Sequence, residues 1–151
     1  MQVDELERIF KFIENVTFNS FVQFAYYTGE RSDEIRSISI DNVLEDSLVI
    51  HGKSGRRIVK LNSQAKDIIH SQKELLNYSK DYVRDKFKKK VCKLGIKSAR
   101  FHDLRRTFGL NLIKQGMSIY NINKLLGHKS VRTTEQQYAP LLTVEIEDLT
   151  L

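Results

Sequence analysis

Residues 46–62, DSLVIHGKSGRRIVKLN, are the stretch in which apolar residues abandon helical spacing. Two short runs rich in Val and Ile flank a turn of Gly52, Lys53, Ser54 and Gly55, the pattern of a β-hairpin. On either side the three-and-four spacing of amphipathic helices holds. VDELERIFKFIEN sets Leu6, Ile9, Phe10 and Ile13 on one face, and FNSFVQFAYYTG does the same with Phe18, Phe21, Val22 and Ala25 before Gly29 stops it. RSDEIRSI can open a short helix capped by Ser32 or Asp33. Beyond the hairpin, Asn62 or Ser63 can cap a helix carrying Ala65, Ile68, Ile69, Leu75 and Leu76. Tyr82, Val83, Phe87, Val91 and Leu94 mark another, ended by Gly95. FHDLRRTFGLNLIKQG and SIYNINKLLG are two further helices closed by glycine, and SVRTTEQQY reads as a last one. The expected fold is α+β, mainly α-helical with one small antiparallel β-sheet.

A chain of 151 residues can bury one core. No repeat, linker or low-complexity tract divides it, so residues 1–151 are expected to form a single domain. No apolar run approaches a membrane span, and one cysteine, Cys92, cannot form an internal disulfide. A reducing cytoplasm is the expected setting. The net charge of +6 makes a polyanion a plausible partner, and much of it is local: residues 84–100 hold eight Lys/Arg against one acid. Taken singly, most of these cations read as the solvated face of a helix.

The densest polar cluster is FHDLRRTF. On a helix His102 and Arg105 share one face, while Leu104 and Phe108 share another. Imidazole and guanidinium on one face suit a phosphate, because the planar guanidinium fork donates two hydrogen bonds to phosphate oxygens and stays charged. The same segment is equally compatible with a surface ion pair to Asp103 or a nearby acid. Arg31 follows a glycine that ends a helix, where a side chain can project into a cleft or pair with Glu34. Lys53 sits at a hairpin tip, where lysines are usually only solvated. His128 follows Gly127 at a helix end, where the helix dipole alone favours an imidazolium.

Together, and in this order, these residues resemble the catalytic domain of the tyrosine recombinases, the phage-integrase family. T-G-x-R-x-x-E is matched by Thr28, Gly29, Arg31 and Glu34, and the hairpin's HGKSGRR supplies Lys53. H-x-L-R-[HR]-T-F is matched by His102 through Phe108. L-L-G-H, then T-T and a tyrosine, is matched by LLGHKSVRTTEQQY with His128 and Tyr138. The resemblance runs from about residue 3 to residue 142.

The resemblance implies an enzyme that cuts one DNA strand by attack of the Tyr138 hydroxyl on a phosphodiester, leaving a 3′-phosphotyrosyl bond and a free 5′-hydroxyl. In that scheme Arg31 and Arg105 clamp the non-bridging oxygens and Lys53 protonates the departing 5′-oxygen. His102 helps take the tyrosine proton, His128 hydrogen-bonds the phosphate, and Glu34 orients Arg31 or His102. Further DNA contacts are expected from Lys53, Arg56, Arg57, Arg106, Lys129 and Arg132. The partners implied are double-stranded DNA and further protomers in a synaptic complex, with a monomer in isolation. The setting implied is a prokaryotic nucleoid, with phage or mobile-element origin open. No cofactor and no metal are expected, since the covalent intermediate stores the bond energy.

Two departures from the family pattern stand out. Tyr138 lies ten residues after His128, one more than is usual in the family, and one helical residue turns a side chain by about 100°. A local irregularity or a displaced hydroxyl between Thr133 and Tyr138 follows. The family's N-terminal helical domain, which grips the opposite face of the duplex, has no counterpart before residue 1. That leaves an excised catalytic fragment or a naturally small protein, either of which would bind DNA weakly and with strong salt dependence. The acidic, apolar tail LLTVEIEDLTL can pack in cis or, as in relatives, dock on a neighbouring protomer. Two other classes of function stay open at this level: a non-catalytic DNA-binding module, since SIYNINKLLGHKSVRTTEQQY has helix-turn-helix spacing, and a recombinase relic that keeps only the fold.

Overall fold

The computed structural model describes residues 1–52, 55–71, 76–96, 99–127 and 132. Within them the chain forms seven α-helices and one two-stranded antiparallel sheet. Helix α1 spans Val3–Phe12, opens with Asp4 and Glu5 in its first turn, and buries Leu6 and Ile9. Helix α2, Val16–Thr28, starts where the Asn15 side chain accepts the Phe18 N–H at 2.9 Å, satisfying one of the donors that a helix start leaves open. It buries Phe18, Phe21, Val22, Phe24, Ala25 and Thr28, more than one face of a helix. Such a helix must be covered from several sides, and it is the spine of the domain.

Helix α3 is a single short piece, Ser32–Arg36, followed by a 3₁₀ turn over Ile40–Asn42. Neither Ser32 nor Asp33 caps it, contrary to expectation. Arg31 holds the N-cap position in extended backbone (φ −73°, ψ 151°), and Glu34 reaches back to accept the Arg31 N–H at 3.1 Å. The hairpin is β1, Ser47–Gly52, and β2, Gly55–Lys60, with Gly52 opposite Gly55, Ile50 opposite Arg57 and Leu48 opposite Val59. Residues paired across an antiparallel ladder point to the same side. Leu48, Ile50, Val59 and Arg57 therefore share the inner face, while Arg56 and the well-exposed Ile58 lie on the outer one.

Helix α4, Ser63–Ser71, is capped by Asn62, whose side chain also donates to the Tyr27 carbonyl at 2.8 Å and ties the helix to α2. Leu76 is buried but lies after this helix rather than on it, and Leu75 is outside the described residues. Helix α5, Lys80–Lys93, presents Val83, Phe87 and Val91 to the core and Lys88, Lys89 and Lys93 to solvent, while Lys86 and Lys90 lie over the Phe18 and Phe12 rings and Tyr82 is exposed. Helix α6 spans Asp103–Lys114 and α7 spans Ile119–Leu126. The segment expected to form a last helix, SVRTTEQQY, is outside the described residues apart from Arg132.

One main core gathers α1, α2, α4, α5 and the sheet, with Phe18, Phe21, Phe24 and Phe87 fully enclosed. Phe101, just ahead of α6, stands between Phe21 (ring centres 5.6 Å apart) and Phe87 (5.5 Å, edge to face). Edge-to-face pairs are favoured by the ring quadrupole, so this contact fixes where α6 begins. A smaller cluster, Ile122 and Leu126 with Phe108, Leu112 and Ile113, locks α7 onto α6. No described helix is long and apolar enough to cross a membrane.

Candidate active site

Three chain segments meet at the C-terminal end of α2. Thr28 is buried, donates its hydroxyl to the Phe24 carbonyl at 2.7 Å and accepts the Glu30 N–H at 3.3 Å, shaping the corner after the helix. Gly29 turns that corner at φ +68°, and a Cβ there would sit 2.2 Å from the Phe108 ring and 3.0 Å from Leu126. Only glycine lets the end of α2 lie this close to α6 and α7.

Into this junction α6 sends Arg105, which is 3% exposed. Its Nη1 donates to the Gly29 carbonyl at 2.8 Å and its Nη2 to the Leu126 carbonyl, buried carbonyls at the C-terminal ends of α2 and α7. Helix C-termini carry partial negative charge, so both acceptors favour a cation. A guanidinium has five N–H donors, so one that holds two carbonyls can still donate to an anion beside it. Burial, and next Arg31, push the Arg105 pKa down to about 10, which leaves it charged at neutral pH.

Arg31 approaches from the start of α3 with its side chain 31% exposed and its Nη1 3.9 Å from Glu34 Oε1. His102 stands exposed at the first turn of α6, one turn before Arg105. Partial desolvation first, where the ring leans on the cleft, then the charges of Arg105, Arg106 and Arg31, hold its imidazole below the ordinary pKa of 6.5, against an opposing contribution from Asp103. A neutral imidazole is thus available at pH 7 as a proton acceptor. Arg31, His102 and Arg105 line one cleft of about 220 Å³, whose further charged walls are Glu30, Asp33, Lys80 and Arg84.

Behind the cleft lies a buried ion cluster. Arg57 Nη1 donates to Glu34 Oε2 at 2.7 Å and Nη2 to Glu30 Oε2, and both carboxylates have no exposed side-chain surface. Glu30 Oε1 and Arg57 Nε are buried and have no hydrogen-bond partner among the described residues. Burial, opposed by Arg57 and reinforced by Glu34, pushes the Glu30 pKa up to about 8. Arg57 was expected at the DNA surface. The strand register places it on the inner face instead, side chain 16% exposed and engaged by two acids. Arg56, Arg106 and Arg132 are exposed, with Arg106 3.9 Å from Asp103. Lys53, His128, Lys129 and Tyr138 lie outside the described residues, as does the spacing irregularity expected before Tyr138.

Sequence reasoning did not single out Glu30, Lys80 or Arg84 as part of the site. Glu30 could have been found from its partner: an arginine alternating with Val59 on a buried strand face requires an acid, and the motif TGERSDE offers two that the fold places there. Among the described residues no three His, Cys, Asp or Glu side chains group as metal ligands.

The sequence profile of the phage integrase family matches residues 1–143. The chain belongs to the phage integrase family. A member of similar sequence is the tyrosine recombinase XerA of Saccharolobus solfataricus, 31% identical over 119 residues that cover 72% of this chain and 40% of that protein. The fold is that of family catalytic domains. It superposes on the crystal structure of a XerA recombinase with a TM-score of 0.78 at 23% identity, covering 91% of this chain and 57% of that one. A lambda integrase tetramer bound to a Holliday junction gives a TM-score of 0.78 at 19% identity, over 91% of this chain and 47% of that one. The chain spans about half the length of the curated relatives it matches. Within the family fold, the arginine-lined cleft is built from the two most distinctive motifs of the sequence, TGERSDE and HDLRRTF.

Proposed function

We propose that this chain is the catalytic part of a site-specific DNA strand transferase that acts through a 3′-phosphotyrosyl intermediate. The Tyr138 oxygen attacks the scissile phosphorus and loses its proton. The bond from phosphorus to the 5′-oxygen breaks, and that oxygen leaves as a hydroxyl after taking up a proton. Attack by a 5′-hydroxyl from another strand reverses these steps and releases the tyrosine, so no ATP and no metal is consumed. The observation that carries the reading is the convergence of Arg31, His102 and Arg105, from motifs far apart in the sequence, on one cleft. Two guanidinium groups there match the charge gathered on a phosphate's non-bridging oxygens, a contribution in which each lost donor costs about 3 kcal/mol. A neutral His102 suits the acceptance of a phenolic proton, and Lys53 and His128 take the roles of proton donor and phosphate ligand. Arg56, Arg106, Lys129 and Arg132 serve as phosphate contacts outside the cleft. Duplex DNA and further copies of the protein in a synapse are the partners, as the lambda integrase neighbour, a tetramer on a Holliday junction, suggests.

The test is a nicked suicide duplex whose 5′-hydroxyl diffuses away after cleavage, incubated at low salt with a chelator. Wild type is expected to accumulate a covalent protein–DNA adduct, and Tyr138→Phe to form none while binding the duplex with unchanged affinity. An adduct in Tyr138→Phe would remove that residue as the nucleophile. Binding without any adduct from wild type would leave a DNA-binding module.

A further inference from the structure

We propose that Arg57 is a positioning residue of the strand-transfer site: its fork on Glu30 and Glu34 holds Arg31 and the glycine corner before residue 128 in register, without touching DNA. This rests on the function proposed above. The argument starts from the hairpin. Pairing Ile50 with Arg57 and Leu48 with Val59 turns Arg57 inward, where a charged side chain persists only when paired. Its two terminal nitrogens donate to one carboxyl group each, Glu34 Oε2 at 2.7 Å and Glu30 Oε2. The other oxygen of Glu34 accepts the Arg31 N–H at 3.1 Å. A displacement of Arg57 is thus passed through one carboxylate to the backbone that carries Arg31.

The plane of the same guanidinium lies against the end of α7. A Cβ on Gly127 would fall 2.6 Å from Arg57 Cζ and 2.8 Å from its Nε, and Gly127 holds φ +65°. The close approach is open to glycine alone. Glu34 is likewise pressed on the hairpin, since a Cβ on Gly52 would come within 2.4 Å of its Oε2. One flat side chain therefore joins three segments: the turn bearing Arg31, the strand that returns from the hairpin tip, and the helix end that leads into residue 128. Each of these carries or adjoins a residue of the proposed mechanism. A lysine, with its charge at one point on a flexible stem, cannot bridge the two acid side chains and pack flat on a glycine together.

The test compares wild type, Arg57→Lys and the double variant Glu30→Gln/Arg57→Met, which removes one buried acid with the cation and leaves Glu34 beside Arg31. Three quantities are measured: thermal midpoint, duplex affinity against salt, and the single-turnover rate of adduct formation. Arg57→Lys is expected to keep folding and affinity within about twofold, while adduct formation slows roughly 10- to 100-fold, the size of effect that a misplacement near 1 Å produces. The double variant should leave the slope of log affinity against log salt unchanged. A phosphate contact at residue 57 would instead lower that slope by about one. A lowered slope, or an Arg57→Lys rate equal to wild type, overturns the positioning role while the strand-transfer reading stands. Failure of wild type itself to form an adduct overturns both.

Discussion

Glu30 offers a direct measurement of the electrostatics behind the cleft. Its carboxyl is buried, faces Arg57 at one oxygen, and has Glu34, Arg105 and Arg31 as its other charged neighbours. Burial dominates, so the native state holds the proton up to about pH 8, whereas the unfolded chain releases it near 4.5. Where the native state binds a proton that the unfolded state does not, stability falls as pH rises. The proton-linked stability is complete below pH 4.5 and is lost as pH climbs through about 8, for a total of roughly 5 kcal/mol at about 1.4 kcal/mol per tenfold in proton affinity. The informative window lies above the histidine range. His102, with its pKa held low, stabilises in the opposite sense and only as pH rises toward 6.5.

Between about pH 6.5 and 8.5 the loss attributable to Glu30 works out at roughly 2 kcal/mol. With a urea dependence of about 2 kcal/mol per molar, the unfolding midpoint should drop by about 1 M. The assay is urea unfolding followed by circular dichroism at several pH values across that window. Glu30→Gln keeps an oxygen for Arg57 and removes the titration, so its midpoint should stay level across the same range. Its absolute stability at pH 6.5 should be slightly lower, because the amide N–H₂ takes the place of Oε1, which has no partner among the described residues. A wild-type midpoint that stays constant or rises from pH 6.5 to 8.5, or a Glu30→Gln midpoint that declines as steeply as wild type, would refute the assignment of a protonated carboxyl to this position.

Gly29→Ala places a methyl group 2.2 Å from the Phe108 ring in backbone with φ +68°, and should cost about 2–4 kcal/mol from overpacking and left-handed strain together, read by chemical unfolding. For His102 the depressed pKa predicts a cleavage rate that is level at neutral pH and falls only as the pH drops below 6.5. That acidic limb should vanish in His102→Asn, and a wild-type limb centred above 6.5 would contradict a neutral imidazole at pH 7.

Local periodicity carried most of the architecture because it reports burial of one face at a time. Phe18, Phe21, Val22 and Ala25 announce α2 by spacing alone, and the β-rich run at 48–59 announces the hairpin. Arg31, His102 and Arg105 were legible for a different reason: each sits at a helix end or first turn, a place marked by a nearby glycine or by a recognisable motif. The cap of α3 was misjudged because Ser32 and Asp33 are good caps in isolation, yet the left-handed turn at Gly29 delivers the chain to the helix one residue earlier.

Arg57 shows where local reading stops short of the strand face, and why. In GRRIVK two arginines precede two apolar residues, so alternation can bury either Arg56 with Ile58 or Arg57 with Val59, and sequence gives the two registers equal standing. What decides is the turn, which pairs Gly52 with Gly55 and sends Arg57 opposite Ile50 on the inner face. The acids that make this tolerable are 27 and 23 residues away, beyond any local window. Two of the Arg57 donors are already taken by buried acids, so a shift of one residue in strand register changes which arginine of the pair is presented to solvent. Charge counted along the chain therefore overstates the cations on its surface, and under the proposed function the salt dependence of duplex binding is expected to drop in Arg56→Gln and to stay level in the Glu30→Gln/Arg57→Met variant.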